Sequence, residues 1–387
     1  MVPPPIIDVV IPVFNGAETV ESAVTSIQAQ TLRDIRIIVV NDGSTDGTQA
    51  IVERMAAADG RVVPINRPNG GIVDALNAGL AACTADLVAR HDADDLAVPD
   101  RFEKQLEWLR RHPECSAVSG SVIHIDEAGR ELGPMVEMSS PDRANALAYP
   151  QQEPYLIHPF LMMRRAAVAA VGGYRHVFHA EDTDLYWRLQ EQGQLANMPD
   201  LLGRYRIHGQ SVTSVSTLNG RVAAMSSQLA GISALRRRAG RPDLAFPKSA
   251  LAEYAQARTL KGIVRLGSRG LDPDEAARLA ASTSAKLLEL SGYRPYELDA
   301  QDGSFIRASI MRALPSMAPD DRTVCIRMLS GTAARLAARG HVAAALRMAP
   351  VKLYPLVAAR LLLRTVLPSS LRAAMRRAAG RPTVVVK

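Results

Sequence analysis

The chain predicts an α/β domain built on a mainly parallel sheet, followed by an α-helical region. Through about residue 220, short β-branched runs alternate with stretches of helical spacing, the pattern of strands joined by crossover helices. From about Val215 onward, Gly and Pro punctuate Ala-, Leu- and Arg-rich stretches, the texture of packed helices. Charge divides the same way: residues 1–220 hold 18 Lys and Arg against 28 Asp and Glu, and residues 221–387 hold 28 against 11. The boundary is placed between 215 and 216. A basic half of this kind faces an anionic partner or simply carries Arg-rich solvated helix faces.

Ile6–Val13, Ile35–Val40, Val62–Asn66 and Leu87–Arg90 are the first four expected strands. Between them, residues Ala17–Gln30, Thr45–Ala58, Ile72–Ala82 and Pro99–Arg111 show helical spacing, with Ser44 or Thr45 and Pro99 as start signals. After Pro113 the strands shorten, around Ala117–Ile125 and Leu156–Arg164. A helix near Asp182–Gln192 and a strand near Ala196–Arg206 complete the domain. In the helical region the most apolar segment, Val351–Leu367, is interrupted by Lys352, Pro355, Arg360 and Arg364, too short and too charged to span a bilayer. Its leucines, with Arg360, Arg364, Arg372, Arg376 and Arg377, suit a helix lying on an anionic membrane, and the core of a helical domain explains the same leucines.

With 387 residues and 47% apolar content the chain can bury a sizeable core. Cys83, Cys115 and Cys325 form neither a paired framework nor a Cys-x-x-Cys motif, which favours a reducing compartment. The start, Met1-Val-Pro-Pro-Pro-Ile, lacks the basic segment and long apolar run of a secretory signal, so the expected location is cytoplasmic. Aromatic content is 4% and the basic residues lack aromatic interleaving, so no nucleic-acid partner is expected.

The segment His91-Asp92-Ala93-Asp94-Asp95 sets three carboxylates in four residues directly after a strand. Carboxylates this close repel one another unless a hard divalent ion or a basic partner neutralises them. A metal held there could in turn hold a diphosphate; the structural alternative is a polar turn before the helix at Pro99. Strand one ends in Ile11-Pro12-Val13-Phe14-Asn15-Gly16 with no Gly-x-Gly-x-x-Gly after it, which disfavours a dinucleotide-binding dehydrogenase. Strand two runs into Asn41-Asp42-Gly43-Ser44-Thr45-Asp46-Gly47-Thr48 and puts Asp42 at the carboxyl edge of the sheet, where ligands of open α/β folds bind. A carboxylate there can accept the imide N–H of uracil; a plain Asp-Gly turn uses the same residues. Aspartate-based phosphatases also carry Asp-x-Asp after a strand, but there a small hydroxyl residue follows, and here Asp95-Leu96 does.

In their order, Ile-Pro-Val-Phe-Asn, Val-Asn-Asp-Gly-Ser-Thr-Asp-Gly-Thr, Asn-Gly-Gly-Ile-Val-Asp-Ala-Leu-Asn-Ala-Gly and His-Asp-Ala-Asp-Asp resemble a family 2 glycosyltransferase over roughly residues 6–212. The resemblance implies a GT-A fold, a nucleotide-sugar donor, a divalent metal (Mn²⁺ or Mg²⁺) and inversion at the anomeric carbon. It implies that Pro12, Phe14 and Asp42 line the nucleobase, that Gly70, Asp74 and Asn77 flank the nucleotide, and that Asn15 also binds the nucleotide-sugar. Asp92 and Asp94 match the Asp-x-Asp, with Asp94 as the direct metal ligand and Asp92 serving the ribose or a bridging water. Many relatives carry Ala-Arg-Asn where this chain has Ala75-Leu76-Asn77, and Arg67 and Arg206 are the candidates to replace that charge.

Further along, His179-Ala180-Glu181-Asp182-Thr183-Asp184 is similar to the family's Glu-Asp motif at a helix start. An inverting transfer needs one base to take the proton of the acceptor hydroxyl. The resemblance gives that role to Asp182, with Glu181 second; stabilisation of a helix N-terminus is the alternative. The segment Tyr205–Thr213 resembles the end of the catalytic domain, which would let His208 complete the metal coordination or touch a phosphate and Arg206 neutralise the diphosphate. His158, Gly173, Tyr174 and Trp187 fall where relatives form the acceptor pocket, with Tyr174 or Trp187 stacking on a sugar face; core packing explains the same residues. The expected reaction moves a sugar from a UDP-sugar to a glycan or lipid-linked acceptor in surface polysaccharide or lipopolysaccharide synthesis. A non-catalytic glycan-assembly partner with the same fold is the alternative, and the intact Asp92, Asp94, Asp182 and His208 argue against it.

Overall fold

The computed structural model describes residues 5–134, 140–207, 217–294 and 296–366. Contacts divide the chain into two units. The first takes the described residues up to Arg143, Pro154–His176, and the chain from Glu181 to Ile207. The second takes Ala144–Glu153, Val177–Ala180 and the described residues from Thr217 on, so two short segments inside the α/β half of the sequence belong with the helices.

In the first unit the elements run β1 (Ile7–Val13), α1 (Val20–Gln28), β2 (Ile35–Asp42), α2 (Thr48–Ala58), β3 (Val62–Arg67), α3 (Ile72–Ala82), β4 (Leu87–Arg90), β5 (Leu96–Ala97), α4 (Arg101–Arg111), β6 (Cys115–Ile125), β7 (Glu131–Pro134), β8 (Met162–Arg164), α5 (Arg165–Ala170), α6 (Glu181–Leu189) and β9 (Gln194–Arg206). They form one mixed sheet ordered β3-β2-β1-β4-β8-β6-β9-β5, with β7 on β6. Strands β1 to β4 are mutually parallel where they pair, β8 runs antiparallel to β4 and β6, and β9 is parallel to β6. Ile7, Val9, Ile11 and Val13 feed one core, while Val10, Ile38 and Val40 feed another. Burial on both faces is why these strands read as continuous apolar runs.

The expected starts of α1 and α2 lie three residues too early, for one reason. The backbone N–H of Ala17 donates to Asp46 Oδ2 (3.1 Å), that of Thr45 to Asn15 Oδ1 (2.8 Å) and that of Thr48 to Asp46 Oδ1 (3.0 Å). Residues 15–17 and 45–47 thus brace one another as loops. Of the expected strand Leu156–Arg164 only Met162–Arg164 forms; His158–Phe160 is a 3₁₀ turn, with Pro159 supplying no N–H. At the buried start of β1, Asp8 takes both Arg36 nitrogens (2.7 and 3.0 Å) and the N–H groups of Thr84 and Ala85, locking β1 to β2 and to the entry of β4.

In the second unit, α7 (Thr217–Arg238), α8 (Ala250–Gln256), α9 (Leu260–Gly267), α10 (Pro273–Leu290), α11 (Ala300–Ala313), α12 (Pro319–Ala338), α13 (Val342–Met348) and α14 (Tyr354–Val366) surround a core containing Ile263, Leu279, Leu287, Ile306, Ile310 and Leu329. Asp272 and Glu275 make a reciprocal capping box at the start of α10, and Asp299 caps α11. No single described helix is long and apolar enough to cross a membrane. The leucines of α14 do not all enter the core: Leu356, Leu362 and Leu363 are exposed.

Candidate active site

The order β2-β1-β4 makes a topological switch point, because the chain leaves β1 toward β2 while β4 lies on its other side. Loops leaving the carboxyl ends of β1 and β4 there must diverge, and the crevice between them is where open α/β sheets bind ligands. The structure has a cleft of about 490 Å³ at this place, lined by Pro12, Phe14, Asn15, Asp46, Asp92 and Asp94 among others. Phe14 is 54% exposed, an aromatic face held at the sheet edge with little of it packed. Asn15 adopts a φ of 51°, held by its N–H to Ser44 Oγ (2.9 Å) and its side chain to Thr45. Five residues expected at the donor site from two separate sequence segments (Pro12, Phe14, Asn15, Asp92 and Asp94) therefore share one wall system.

The acidic loop after β4 rests on buried cations. Ligand atoms of Asp92, Asp94 and Asp95 lie within 4.8 Å of one another. Burial raises the proton affinity of the Asp92 carboxyl, Arg90 at 2.5 Å pulls it back, and Asp94 raises it further. Asp95 is pushed well above the usual carboxylate range by burial and by Asp92 and Asp94, while its Oδ1 accepts the Arg206 N–H (2.7 Å). Beneath the loop, His91 is fully buried and bonds the Asp95 carbonyl through Nε2 (3.1 Å) and Arg101 through Nδ1 (3.1 Å). Burial, reinforced by Arg101, holds His91 neutral, and burial pushes Arg101 itself down to about 9. Arg101 also donates to the Arg90 carbonyl (2.7 Å) and to Gln105 Oε1 (3.0 Å), which anchors on the Phe160 carbonyl (2.8 Å). Sequence reasoning missed Arg90, Arg101 and Gln105. The available signal was Arg101 and Gln105 four apart on the face of α4 that also carries Phe102, Leu106 and Leu109, a polar pair where a solvated face was not expected.

Several expected donor and acceptor residues are placed differently. Asp42 is buried, and its carboxylate is filled by Arg67 Nη1 (2.5 Å) and the N–H groups of Gly70 (3.1 Å) and Gly71 (2.7 Å). It holds the β3–α3 loop, and a Cβ on Gly43 would meet Asn69 N at 2.5 Å, so that loop closes against the turn after Asp42. Asp74 lies 3.7 Å from Arg67 and 3.1 Å from His176, which commits Arg67 to two carboxylates. Asn77 clamps the backbone of Tyr174 through both side-chain atoms (2.9 Å each), and a Cβ on Gly173 would meet Asn77 Oδ1 at 2.7 Å. The close approach at Gly173, whose φ is +70°, is to Asn77.

The expectation that Tyr174 or Trp187 stacks on a sugar is corrected: Tyr174 is 4% exposed and bonds His158 Nε2 through its hydroxyl (2.8 Å), and Trp187 is fully buried. His158 is held neutral by burial and by Arg90. The Arg206 guanidinium donates through Nε to the Asp94 carbonyl (2.8 Å) and through Nη1 to those of Asp126 and Glu127 (2.9 Å each), so it buttresses the acidic loop. His208 lies outside the described residues.

Helix α6 begins with Glu181 and Asp182. Asp182 Oδ1 accepts the Thr183 N–H (2.7 Å), and Asp184, one residue further, is fully buried between Arg175 and Arg188. Arg188 in turn donates to the carbonyls of Val171 and Gly173 (2.7 Å each), so the Asp184 ion cluster fixes α6 against the Gly172-Gly173 turn. That anchor leaves Glu181 and Asp182 at the helix start. Burial and the Asp182 charge raise the Glu181 carboxyl to about 7, and Arg90 and Asp92 both act on it through space. The sheet-end acids and the α6 acids thus occupy one electrostatic neighbourhood with Arg90 among them.

The family model described as Glycosyl transferase family 2 matches residues 8–172. The amylovoran biosynthesis glycosyltransferase AmsE of Erwinia amylovora is 34% identical over 191 residues, 49% of this chain and 71% of that protein. The putative glycosyltransferase EpsE of Bacillus subtilis (strain 168) is 32% identical over 194 residues, 49% of this chain and 68% of that protein. Among solved structures, the mannosyltransferase PcManGT from Pyrobaculum calidifontis, in complex with GDP-Man and Mn²⁺, aligns at 18% identity and a TM-score of 0.45 over 90% of this chain and 88% of that one. With a mixed sheet whose switch point gathers the family's motifs, and relatives this similar over more than two thirds of their own length, the chain belongs to glycosyl transferase family 2 and is a glycosyltransferase.

Proposed function

We propose that the enzyme moves a sugar, with inversion, from a nucleoside-diphosphate donor, a UDP-sugar first among them, to a hydroxyl of a growing polysaccharide. The observation that carries this reading is the switch-point cleft that unites the exposed Phe14 and Asn15 with Asp92 and Asp94. Phe14 offers a face on which a base stacks, and the acidic wall is suited to a cation-bound diphosphate. The donor set fits Mn²⁺ or Mg²⁺: hard carboxylate oxygens within 4.8 Å of one another, with Asp94 and Asp92 at the cleft and Asp95 turned to Arg206. When bound, such an ion supplies positive charge for the departing diphosphate. Arg90 holds Asp92 in place, and Asp182 accepts the proton of the attacking hydroxyl, with Glu181 beside it setting the charge of the pair. The relative named for amylovoran biosynthesis supports a polysaccharide as the product.

Calorimetry with UDP, GDP and TDP, each with Mn²⁺ and with chelator, tests the reading. One diphosphate is expected to bind in the presence of Mn²⁺ only; failure of all three under both conditions would sink it.

We further propose that the enzyme works on the cytoplasmic face of an anionic membrane, where lipid-linked acceptors are presented. Val342, Leu346, Val351, Leu356, Leu362 and Leu363 are all exposed within α13, α14 and the turn joining them, interleaved with Arg347 and Lys352. Apolar side chains with flanking cations are what an interfacial surface requires. Vesicles containing phosphatidylglycerol are expected to co-sediment the protein, and the double variant Leu362→Ser/Leu363→Ser to weaken this severalfold; equal sedimentation with purely zwitterionic vesicles rejects the proposal.

A further inference from the structure

The helical unit holds a cavity of about 990 Å³, twice the donor cleft, whose lining comes entirely from that unit. This is room for an oligosaccharide rather than an ion. Two features give it a chemical character. Lys261 on α9, Arg312 on α11 and Arg347 on α13 line it from three elements, and none has an ion-pair partner among the described residues. Asp302 also lines it but is 1% exposed and held by Arg221 through Oδ2 (2.5 Å), so little negative charge opposes these cations. Phe305, half-buried one helical turn on, adds an aromatic surface.

Each feature asks for a different part of one ligand. Three convergent cations from separate elements favour carboxylate or phosphate groups, and the remaining acid of the lining, Asp274, sits in the exposed first turn of α10. An aromatic wall accepts the C–H face of a sugar ring. A lipid chain would leave Lys261, Arg312 and Arg347 unanswered, and a free phosphate would leave Phe305 and most of the volume unused.

We propose that this cavity binds an anionic oligosaccharide, a uronate-bearing stretch of glycan, and so gives the helical unit a glycan-holding role apart from sugar transfer. The inference rests on the assignment of the chain as a glycosyltransferase. Lys261, Arg312 and Arg347 meet the acidic groups, and Phe305 carries a ring face.

Calorimetry on the full chain with tetragalacturonate, with maltotetraose as the neutral match and with inorganic pyrophosphate tests it. Tetragalacturonate is expected to bind at least about tenfold more tightly than maltotetraose, with affinity falling about tenfold or more in Arg312→Glu/Arg347→Glu. Ala308→Trp, which fills the cavity from an exposed position on α11 without touching the Arg221–Asp302 pair, is expected to abolish binding while leaving the thermal unfolding midpoint in place. Asp94→Ala is expected to bind tetragalacturonate like the wild type, which separates this site from the donor cleft. Equal affinity for the two tetrasaccharides, binding unchanged in Ala308→Trp, or pyrophosphate binding without tetragalacturonate binding each overturns the proposal.

Discussion

Asp94→Ala is expected to lower kcat by about 10³-fold or more and to remove Mn²⁺-dependent binding of the nucleoside diphosphate, because a cation bound at the cleft is worth several kcal/mol of charge stabilisation on the leaving group. The three aspartates of the loop are not equivalent, and the comparison among them is the useful measurement. Asp92 shares its charge with Arg90, and Asp95 is spent on the Arg206 N–H below the loop, whereas Asp94 lies on the cleft wall. Asp95→Asn, whose amide oxygen still accepts the Arg206 N–H and which removes a buried charge, is therefore expected to unfold at a temperature no lower than the wild type at pH 8 and to retain Mn²⁺-dependent nucleotide binding. Calorimetry and steady-state rates of nucleotide release on the two variants read the difference. Wild-type affinity in Asp94→Ala would remove the cation from this wall.

The parallel half of the sheet was legible because it is written twice, in composition and in period. Strands β1, β2 and β4 are buried on both faces, so they read as Val- and Ile-rich runs, and α3 was placed from Ile72 to Ala82 as found. The antiparallel half was harder. Strands β5 and β7 have two and four residues, too few to show a period, and α5 is a helix of six. Within the site, the motif segments were legible but the work of each residue was not. Asn77 and Asp42 carry family-like positions yet spend their polar atoms on the Tyr174 backbone and on the Arg67 and Gly70-Gly71 loop. Polar residues that brace a loop and polar residues that touch a ligand look alike in sequence. What separates them is which hydrogen bonds the fold has already filled, and that depends on partners up to 97 positions away. The same holds for the buried cations under the acidic loop. Arg90 precedes a strand end and Arg101 opens a helix, and neither position signals that the side chain turns inward beneath Asp92–Asp95.

Asp182→Asn is expected to lower kcat by about 10²- to 10⁴-fold with little change in KM, the loss typical of a missing general base. Glu181→Gln distinguishes a base from a neighbour that tunes it. The two carboxyls form a like-charge pair at the start of α6, and burial with the Asp182 charge raises Glu181 to about 7. The pair therefore loses its last proton near neutrality, and kcat/KM is expected to rise with pH through an apparent pKa near 7 that belongs to both groups. Removing the Glu181 charge relieves the repulsion, so the acidic limb is expected to move to lower pH in Glu181→Gln while the plateau rate falls less than tenfold. The reverse pattern, a collapsed plateau in Glu181→Gln and a nearly intact one in Asp182→Asn, would exchange their roles. Stability supplies an independent readout of the same electrostatics. A carboxyl whose folded-state pKa lies above its unfolded value contributes stability that is complete below about 4.5 and lost as the pH rises through about 7. Ionising Glu181 in place thus costs up to roughly 3 kcal/mol above neutrality. Glu181→Gln is accordingly expected to unfold at a higher temperature than the wild type at pH 8 and at an equal temperature at pH 4. Equal unfolding temperatures at both values would mean that Glu181 ionises freely, and the shared proton proposed for the base would go with it.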